Sequence, residues 1–113
     1  MKKNKIEFFY DCSSPWTYLA FSEIENLSNR HNLELIWKPI LVGGVFNSVN
    51  PSVYESRANP VKEKRDYSNK DLQDWCKVRN IEINWPKVFP VNSVKAMRGA
   101  FYAIDKGVIS EYS

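Results

Sequence analysis

The sequence predicts an α/β fold whose nucleus is a βαβ unit, two parallel strands joined by one helix, with further helical chain behind it. Three observations carry this. Residues 6–10 (Ile6, Glu7, Phe8, Phe9, Tyr10) form a short, nearly continuous apolar and aromatic run. From Pro15 the apolar residues recur as Trp16, Leu19, Ala20, Ile24 and Leu27, a helical period. Residues 33–37 (Leu33, Glu34, Leu35, Ile36, Trp37) then alternate, as a second strand does, before Pro39. A strand, a helix and a strand in that order close as a right-handed crossover with parallel strands.

Each element has a local reason. The first run reads as a strand covered on both faces, with Glu7 near enough to its start to reach solvent. Ser13 or Ser14 can cap the helix, and Pro15 fits its first turn because an N–H there has no helical partner to lose. The helix should run to about Arg30 and leave through His31 and Asn32. Residues 42–60, from Val42, Gly43 and Gly44 to Asn59 and Pro60, read as a long irregular loop, a length that is more often functional than incidental. Residues 61–79 are polar but helix-prone, with Leu72, Trp75 and Val78 as a narrow apolar stripe. Residues 81–86 and 89–90 should be extended, because residues before proline avoid the helical region. A last helix starts at the capping pair Asn92 and Ser93, turns Val94, Met97, Ala100, Phe101 and Ile104 inward, and stops at Gly107. Residues 108–113 look like the start of another element. The expected organisation is a βαβ part over 1–41, a loop over 42–60, and part of a helical insertion over 61–113. Two strands make a marginal sheet with an unfinished edge, so the chain reads as the front portion of something larger.

Composition narrows the function classes. The chain has 113 residues, 43% of them apolar and 26% charged, which suits a folded domain rather than a disordered one. The net charge of +3 comes from dispersed lysines and arginines, with no basic stripe interleaved with aromatics, so no nucleic-acid partner is expected. A mild positive bias suits a small anion. Lysines at the start are followed by Glu7 and Asp11 rather than an apolar leader core, and no apolar run reaches the ~20 residues of a membrane span. No membrane partner and a cytoplasmic location are therefore expected. Cys12 and Cys76 lie too far apart for a Cys-x-x-Cys pair or a zinc pattern, so free thiols and no metal are expected.

The stretch Ser14, Pro15, Trp16, Thr17 is the chemically informative one. It lies where a strand feeds through a tight turn into a helix. In a thioredoxin-type fold the reactive Cys-x-x-Cys pair occupies this place; here hydroxyls stand at both cysteine positions. Unpaired N–H groups and the peptide dipoles at a helix N-terminus favour a thiolate. A hydroxyl beside it can donate a charge-assisted hydrogen bond. Ser14 is a poor nucleophile, since the motif holds no His or Lys to act as its base and His31 falls at the far end of the same helix. The pattern points to a thiol brought from outside, held by Ser14, Pro15 and Trp16, with Trp16 and Tyr18 able to wall an apolar pocket. The plainer reading, Ser-Pro as an ordinary cap and first turn, stands beside it.

Asp11-Cys12-Ser13-Ser14-Pro15-Trp16-Thr17-Tyr18-Leu19-Ala20 resembles the signature of the 2-hydroxychromene-2-carboxylate isomerase family, relatives of kappa-class glutathione transferases in the DsbA-like thioredoxin superfamily. The likeness continues through residues 38–46, 71–75 and 89–100 in the same order. It implies a thioredoxin-like, DsbA-type domain with a helical insertion, and a bound glutathione whose sulfur meets Ser14, the catalytic residue. That sulfur is thought to add to a conjugated double bond, allow rotation, and leave. By position Asn59 and Lys64 resemble the family's asparagine and lysine at the glutathione site, and Trp85, Phe89 and Asn92 fall where the insertion faces the substrate. Plainer readings make Asn59 a turn residue, Lys64 a solvated charge, and Trp85 and Phe89 core. Cys12 is expected to be a buried, inert thiol, Cys76 a packing residue, and His31 and Arg98 surface residues. The implied partners are a small aromatic-derived carboxylate and, as an option, a second copy of the chain. Family members are substantially longer and return to complete the sheet, so this chain holds about half of such a site. It is then truncated, completed by another chain, or an inactive or interaction-only thioredoxin-like fragment. A kappa-like glutathione transferase is the alternative enzyme, while disulfide exchange lacks its two thiols.

Overall fold

The computed structural model describes residues 4–113. Among them the elements run β1 (Lys5–Tyr10), α1 (Pro15–Arg30), β2 (Glu34–Pro39), α2 (Val42–Val49), α3 (Ser52–Ala58), α4 (Lys62–Arg79), α5 (Val94–Asp105) and α6 (Ile109–Tyr112). They divide into two compact units: the chain through Leu41 together with Trp85–Ser113, and Val42–Asn84.

In the first unit β1 and β2 pair in parallel, with Ile6 opposite Leu35, Phe8 opposite Trp37 and Tyr10 opposite Pro39. Paired residues of parallel strands share a face, so these six side chains point the same way. That face carries the core: Phe8 and Tyr10 are buried with Ile24 of α1 and with Met97, Ala100 and Ala103 of α5, joined by Ile109 of α6. Aromatic packing sets its geometry. The Phe8 and Tyr10 rings lie parallel with centroids 5.2 Å apart, and Trp37 meets each edge-on at 5.5 Å. Such offset and edge contacts suit the ring quadrupoles. Phe21 of α1 reaches Trp37 at 5.9 Å.

The opposite face is not covered among the described residues. Phe9 is 58% exposed, Glu7 and Lys38 are exposed, and Ile36 is half-buried. The expectation of a strand covered on both faces is therefore corrected: helices pack on one side only, and an apolar run does not say which of its faces has a neighbour. Pro39 closes β2 from inside, as its last paired residue.

Helices α1, α4 and α5 end in the same way. Asn32, Asn80 and Gly107 take positive φ (53°, 55° and 70°). The next N–H in each case reaches back to the carbonyl five residues earlier: Leu33 to Ser28 at 2.8 Å, Ile81 to Cys76 at 2.9 Å, and Val108 to Ala103 at 2.9 Å. These are Schellman closures, which satisfy carbonyls left without helical partners. The exits expected at Asn32 and Gly107 hold; Asn80 performs the same task for α4.

Two inward stripes differ from expectation. On α5 the third buried residue is Ala103, while Phe101 is 56% exposed. On α1, Trp16 and Ala20 are exposed, and Leu19, Ile24 and Ser28 are the buried residues. A small side chain permits close helix packing where an aromatic cannot fit, and Gly99 shows the same demand: a Cβ there would collide with the Tyr112 hydroxyl. That hydroxyl donates to the Ala96 carbonyl at 2.7 Å, and Tyr10 and Ser113 share a hydrogen bond of 2.9 Å. Both contacts fasten α6 to the unit.

In the second unit, residues 42–60 form two short helices rather than a loop. Two glycines cost helix α2 roughly 1 kcal/mol each relative to alanine. Tyr54 of α3 offsets part of this by donating to the Gly43 carbonyl at 3.2 Å while its ring meets Phe46 edge-on at 6.5 Å. On α4 the buried residues are Leu72 and Cys76, one turn apart, whereas Trp75 and Val78 are exposed. The expected continuous segment 61–113 is also divided, since Trp85–Ser113 belongs with the βαβ unit.

Phe8→Ala should cost about 3–5 kcal/mol, the usual range for removing a buried phenylalanine. Phe9→Ala, on the uncovered face, should stay within about 1 kcal/mol. Urea denaturation of both variants checks this contrast, and equal losses would contradict one-sided packing. Gly107→Ala should cost about 1 kcal/mol by forcing a Cβ into left-handed backbone, measurable in the same titration.

Candidate functional site

The site begins where β1 ends. Asp11 is 3% exposed, and its Oδ1 accepts from the Ser13 N–H at 2.9 Å, an Asx turn that bends the chain out of the sheet. The Ser14 N–H donates to the Asp11 carbonyl at 3.1 Å and closes the turn. Ser14 then adopts extended backbone (φ −96°, ψ 123°), and α1 starts at Pro15. Its Oγ accepts from the Thr17 N–H at 3.3 Å, so Ser14, not Ser13, is the cap. A hydroxyl that accepts in this way keeps its proton for donation elsewhere. Ser14, Pro15 and Thr17 are half-buried.

Trp16 and Tyr18 flank this position and are 41% and 49% exposed. They present aromatic surface to solvent rather than to the core. Thus the corner combines a donor hydroxyl, the positive end of α1 and exposed aromatic side chains. The absence of a thiol at positions 14 and 17 is read directly from the sequence.

Cys12 is exposed, which corrects the expected burial. Its backbone N–H approaches Met97 Sδ at 3.4 Å, and that contact leaves the side chain outside. Partial loss of solvent, reinforced by the negative charge of Asp11, pushes the thiol above its ordinary range. Cys12 is therefore mainly protonated at neutral pH. Cys76 is buried, as a packing residue should be.

Other candidates separate into two groups. Trp85, Phe89 and Asn92 belong to the same unit as Ser14. Trp85 and Phe89 form an edge-on pair at 5.1 Å; both are exposed, so neither is core. Asn92 Oδ1 accepts from the Val94 N–H at 3.1 Å and caps α5. Asn59 and Lys64 belong to Val42–Asn84. Asn59 ends α3 with its N–H on the Glu55 carbonyl at 2.8 Å, and Lys64 is exposed in the first turn of α4. Sequence reasoning missed Asp11 and Ser93 as a pair: Ser93 Oγ donates to Asp11 Oδ1 at 2.6 Å. The Asp-x-Ser spacing at 11–13 signals the Asx turn, but no local pattern announces a partner 82 positions away. Among the described residues no cluster of three His, Cys, Asp or Glu side chains could hold a metal, and no helix is long and apolar enough to cross a membrane.

Comparisons with known proteins agree with this arrangement. A 2-hydroxychromene-2-carboxylate isomerase from Pseudomonas putida is 31% identical over 101 residues, covering 86% of this chain and 45% of that protein. A solved structure of a 2-hydroxychromene-2-carboxylate isomerase superposes with a TM-score of 0.68 at 24% identity, over 94% of this chain and 50% of the other. The chain thus spans about half the length of the relatives it matches. The model for the DSBA-like thioredoxin domain matches residues 5–113. A parallel βαβ unit with its helix N-terminus presented at the strand end, matched along almost the whole chain, places this protein in the family of DSBA-like thioredoxin domains.

Proposed function

We propose that the chain provides the thiol-activating corner of a glutathione-dependent isomerase of the 2-hydroxychromene-2-carboxylate type, acting on a small aromatic-derived carboxylate. The observation that carries this reading is the Ser14 hydroxyl, with its proton available, at the N-terminus of a 16-residue helix whose cysteine positions hold only hydroxyls. The relative from Pseudomonas putida supports the reaction class by its name.

The residues fit a thiol guest. Glutathione, when bound, supplies a sulfur nucleophile that is returned unchanged at the end of each turnover. Ser14 donates its proton toward the sulfur, and the N-terminus of α1 adds the favourable end of the helix dipole. Pro15 fixes the first turn through its constrained φ, at a position where an N–H has no helical partner to lose. Trp16 walls one side. Trp85 and Phe89 are proposed as apolar contacts for the aromatic substrate, with Asn92 beside them. Asn59 and Lys64 belong to Val42–Asn84, and the family resemblance alone speaks for a glutathione role there. A homodimer and a cytoplasmic setting are consistent with this chemistry.

Titrating the 113-residue chain with glutathione while following thiolate absorbance against pH tests the reading. The bound thiol should ionise well below the ~8.5 of an ordinary cysteine. Ser14→Ala should raise that midpoint and weaken binding several-fold, while destabilising the fold only by a lost cap, about 1 kcal/mol. No heat of binding, or an unchanged midpoint in Ser14→Ala, would defeat the assignment. When the chromene acid is supplied as substrate, glutathione recovered intact marks an isomerase, and its consumption marks a transferase.

Cys12 makes a separate prediction. Since its folded-state pKa is raised, the reactive thiolate is scarcer in the folded chain than in the unfolded one at neutral pH, and the difference closes as pH rises through the folded value. Iodoacetamide should therefore alkylate Cys12 more slowly in the native chain at neutral pH than in urea. Faster native alkylation would mean that the chain supplies its own activated sulfur.

A further inference from the structure

We propose that Asp11 and Ser93 are positioning residues, whose hydrogen bond clamps the start of α5 onto the turn that carries Ser14 and fixes the direction in which the Ser14 hydroxyl faces. This inference rests on the thiol-activating role given to Ser14.

Four observations lead here. First, one oxygen, Asp11 Oδ1, takes donors from two separate parts of the chain, the Ser13 N–H at 2.9 Å and the Ser93 hydroxyl at 2.6 Å. Second, both side chains are enclosed, at 3% and 7% exposure. Water cannot readily replace either partner, and a half-made hydrogen bond in such a place is costly. Third, Ser93 sits at the cap position of α5, yet its hydroxyl makes no capping bond. Asn92 Oδ1 accepts from the Val94 N–H, while the Ser93 hydroxyl is given to the longer-range contact. Fourth, a second tie runs parallel to the first, from the Cys12 N–H to Met97 Sδ one turn into α5.

Together these fasten every residue of the turn. Asp11 is held by Ser93, Cys12 by Met97, and Ser13 and Ser14 by the side chain and carbonyl of Asp11. The Ser14 Oγ, already accepting from Thr17, is left with one proton to direct. Ser93 also ends the segment that bears Trp85 and Phe89, so the same bond sets where that segment arrives beside the turn.

The test compares Ser93→Ala, which removes the donor, with Ser93→Thr, which keeps it. Hydrogen exchange of the Thr17 amide, whose partner is Ser14 Oγ, reports the turn directly; the ionisation midpoint of bound glutathione reports its chemistry. In Ser93→Ala the Thr17 amide should exchange about fivefold faster, the effect of losing one net hydrogen bond, and the midpoint should move to higher pH. Ser93→Thr should restore both. Met97→Leu, which removes the sulfur acceptor at similar volume, should speed Thr17 exchange in the same direction and gives a second reading if Ser93→Ala does not fold. A fall in melting temperature with exchange and midpoint unchanged would overturn the proposal and leave the bond merely structural. Should the unsubstituted chain show no bound thiolate, the glutathione reading fails by itself, and Thr17 exchange alone then decides whether the clamp exists.

Discussion

The Ser14 corner depends on a carboxyl group buried at the end of a strand with its hydrogen bonds made. A polar side chain enclosed to the extent of Asp11 is tolerable only if donors meet it, and the donors found are the Ser13 N–H and the Ser93 hydroxyl. Satisfying that requirement dictates much else. It bends the chain immediately after β1, so that α1 begins at Pro15. It also brings α5 back onto the βαβ unit at its N-terminal end, where Met97, Ala100 and Ala103 then fall onto the aromatic face of β1 and β2.

One-sided packing follows from the same geometry. Phe8, Tyr10 and Trp37 share a face and form a mutually edge-on and stacked group, and α1 and α5 supply its cover. The alternate residues, Glu7, Phe9 and Lys38, mix charge with a large exposed ring. A two-stranded sheet has little stability of its own, so the helices are what hold these strands together. Ser14 is thereby mounted at the junction of β1 and its covering helix, a placement that suits the orienting role proposed for it.

Much of this was legible in the sequence because it rests on local rules. The strand–helix–strand order, the Ser-Pro start of α1 and the exits at Asn32 and Gly107 each depend on residues within a few positions of one another. What was not legible depends on distant partners. The helices at 42–58 were hidden by Gly43 and Gly44, whose low propensity is outweighed by Tyr54 packing back onto the same turn. Phe101 looked like core by period and hydrophobicity, yet it is exposed and Ala103 takes the buried place. Ser93 looked like a cap because serine there usually is one; the carboxyl that diverts it stands in another element. Even the exposure of Phe9 belongs to this class, since a strand's composition says nothing of which face is covered.

The contrast between Cys12 and Ser14 explains why the chain's own thiol is unsuited to this corner. They are two positions apart, but the turn gives them opposite electrostatic surroundings. Cys12 lies before the turn, partly desolvated and beside the negative Asp11 carboxylate, and both influences favour its neutral form. Ser14 lies after the turn, at the positive end of the α1 dipole, which favours an anion. A cysteine at position 14 would be activated, but with Thr17 opposite it would have no resolving partner for disulfide chemistry. A serine there keeps the anion-favouring field and a proton donor while leaving room for a sulfur on a separate molecule. Such a corner suits the proposed thiol that must arrive and depart, and that is the chemical difference between a dithiol oxidoreductase and the function proposed for this chain.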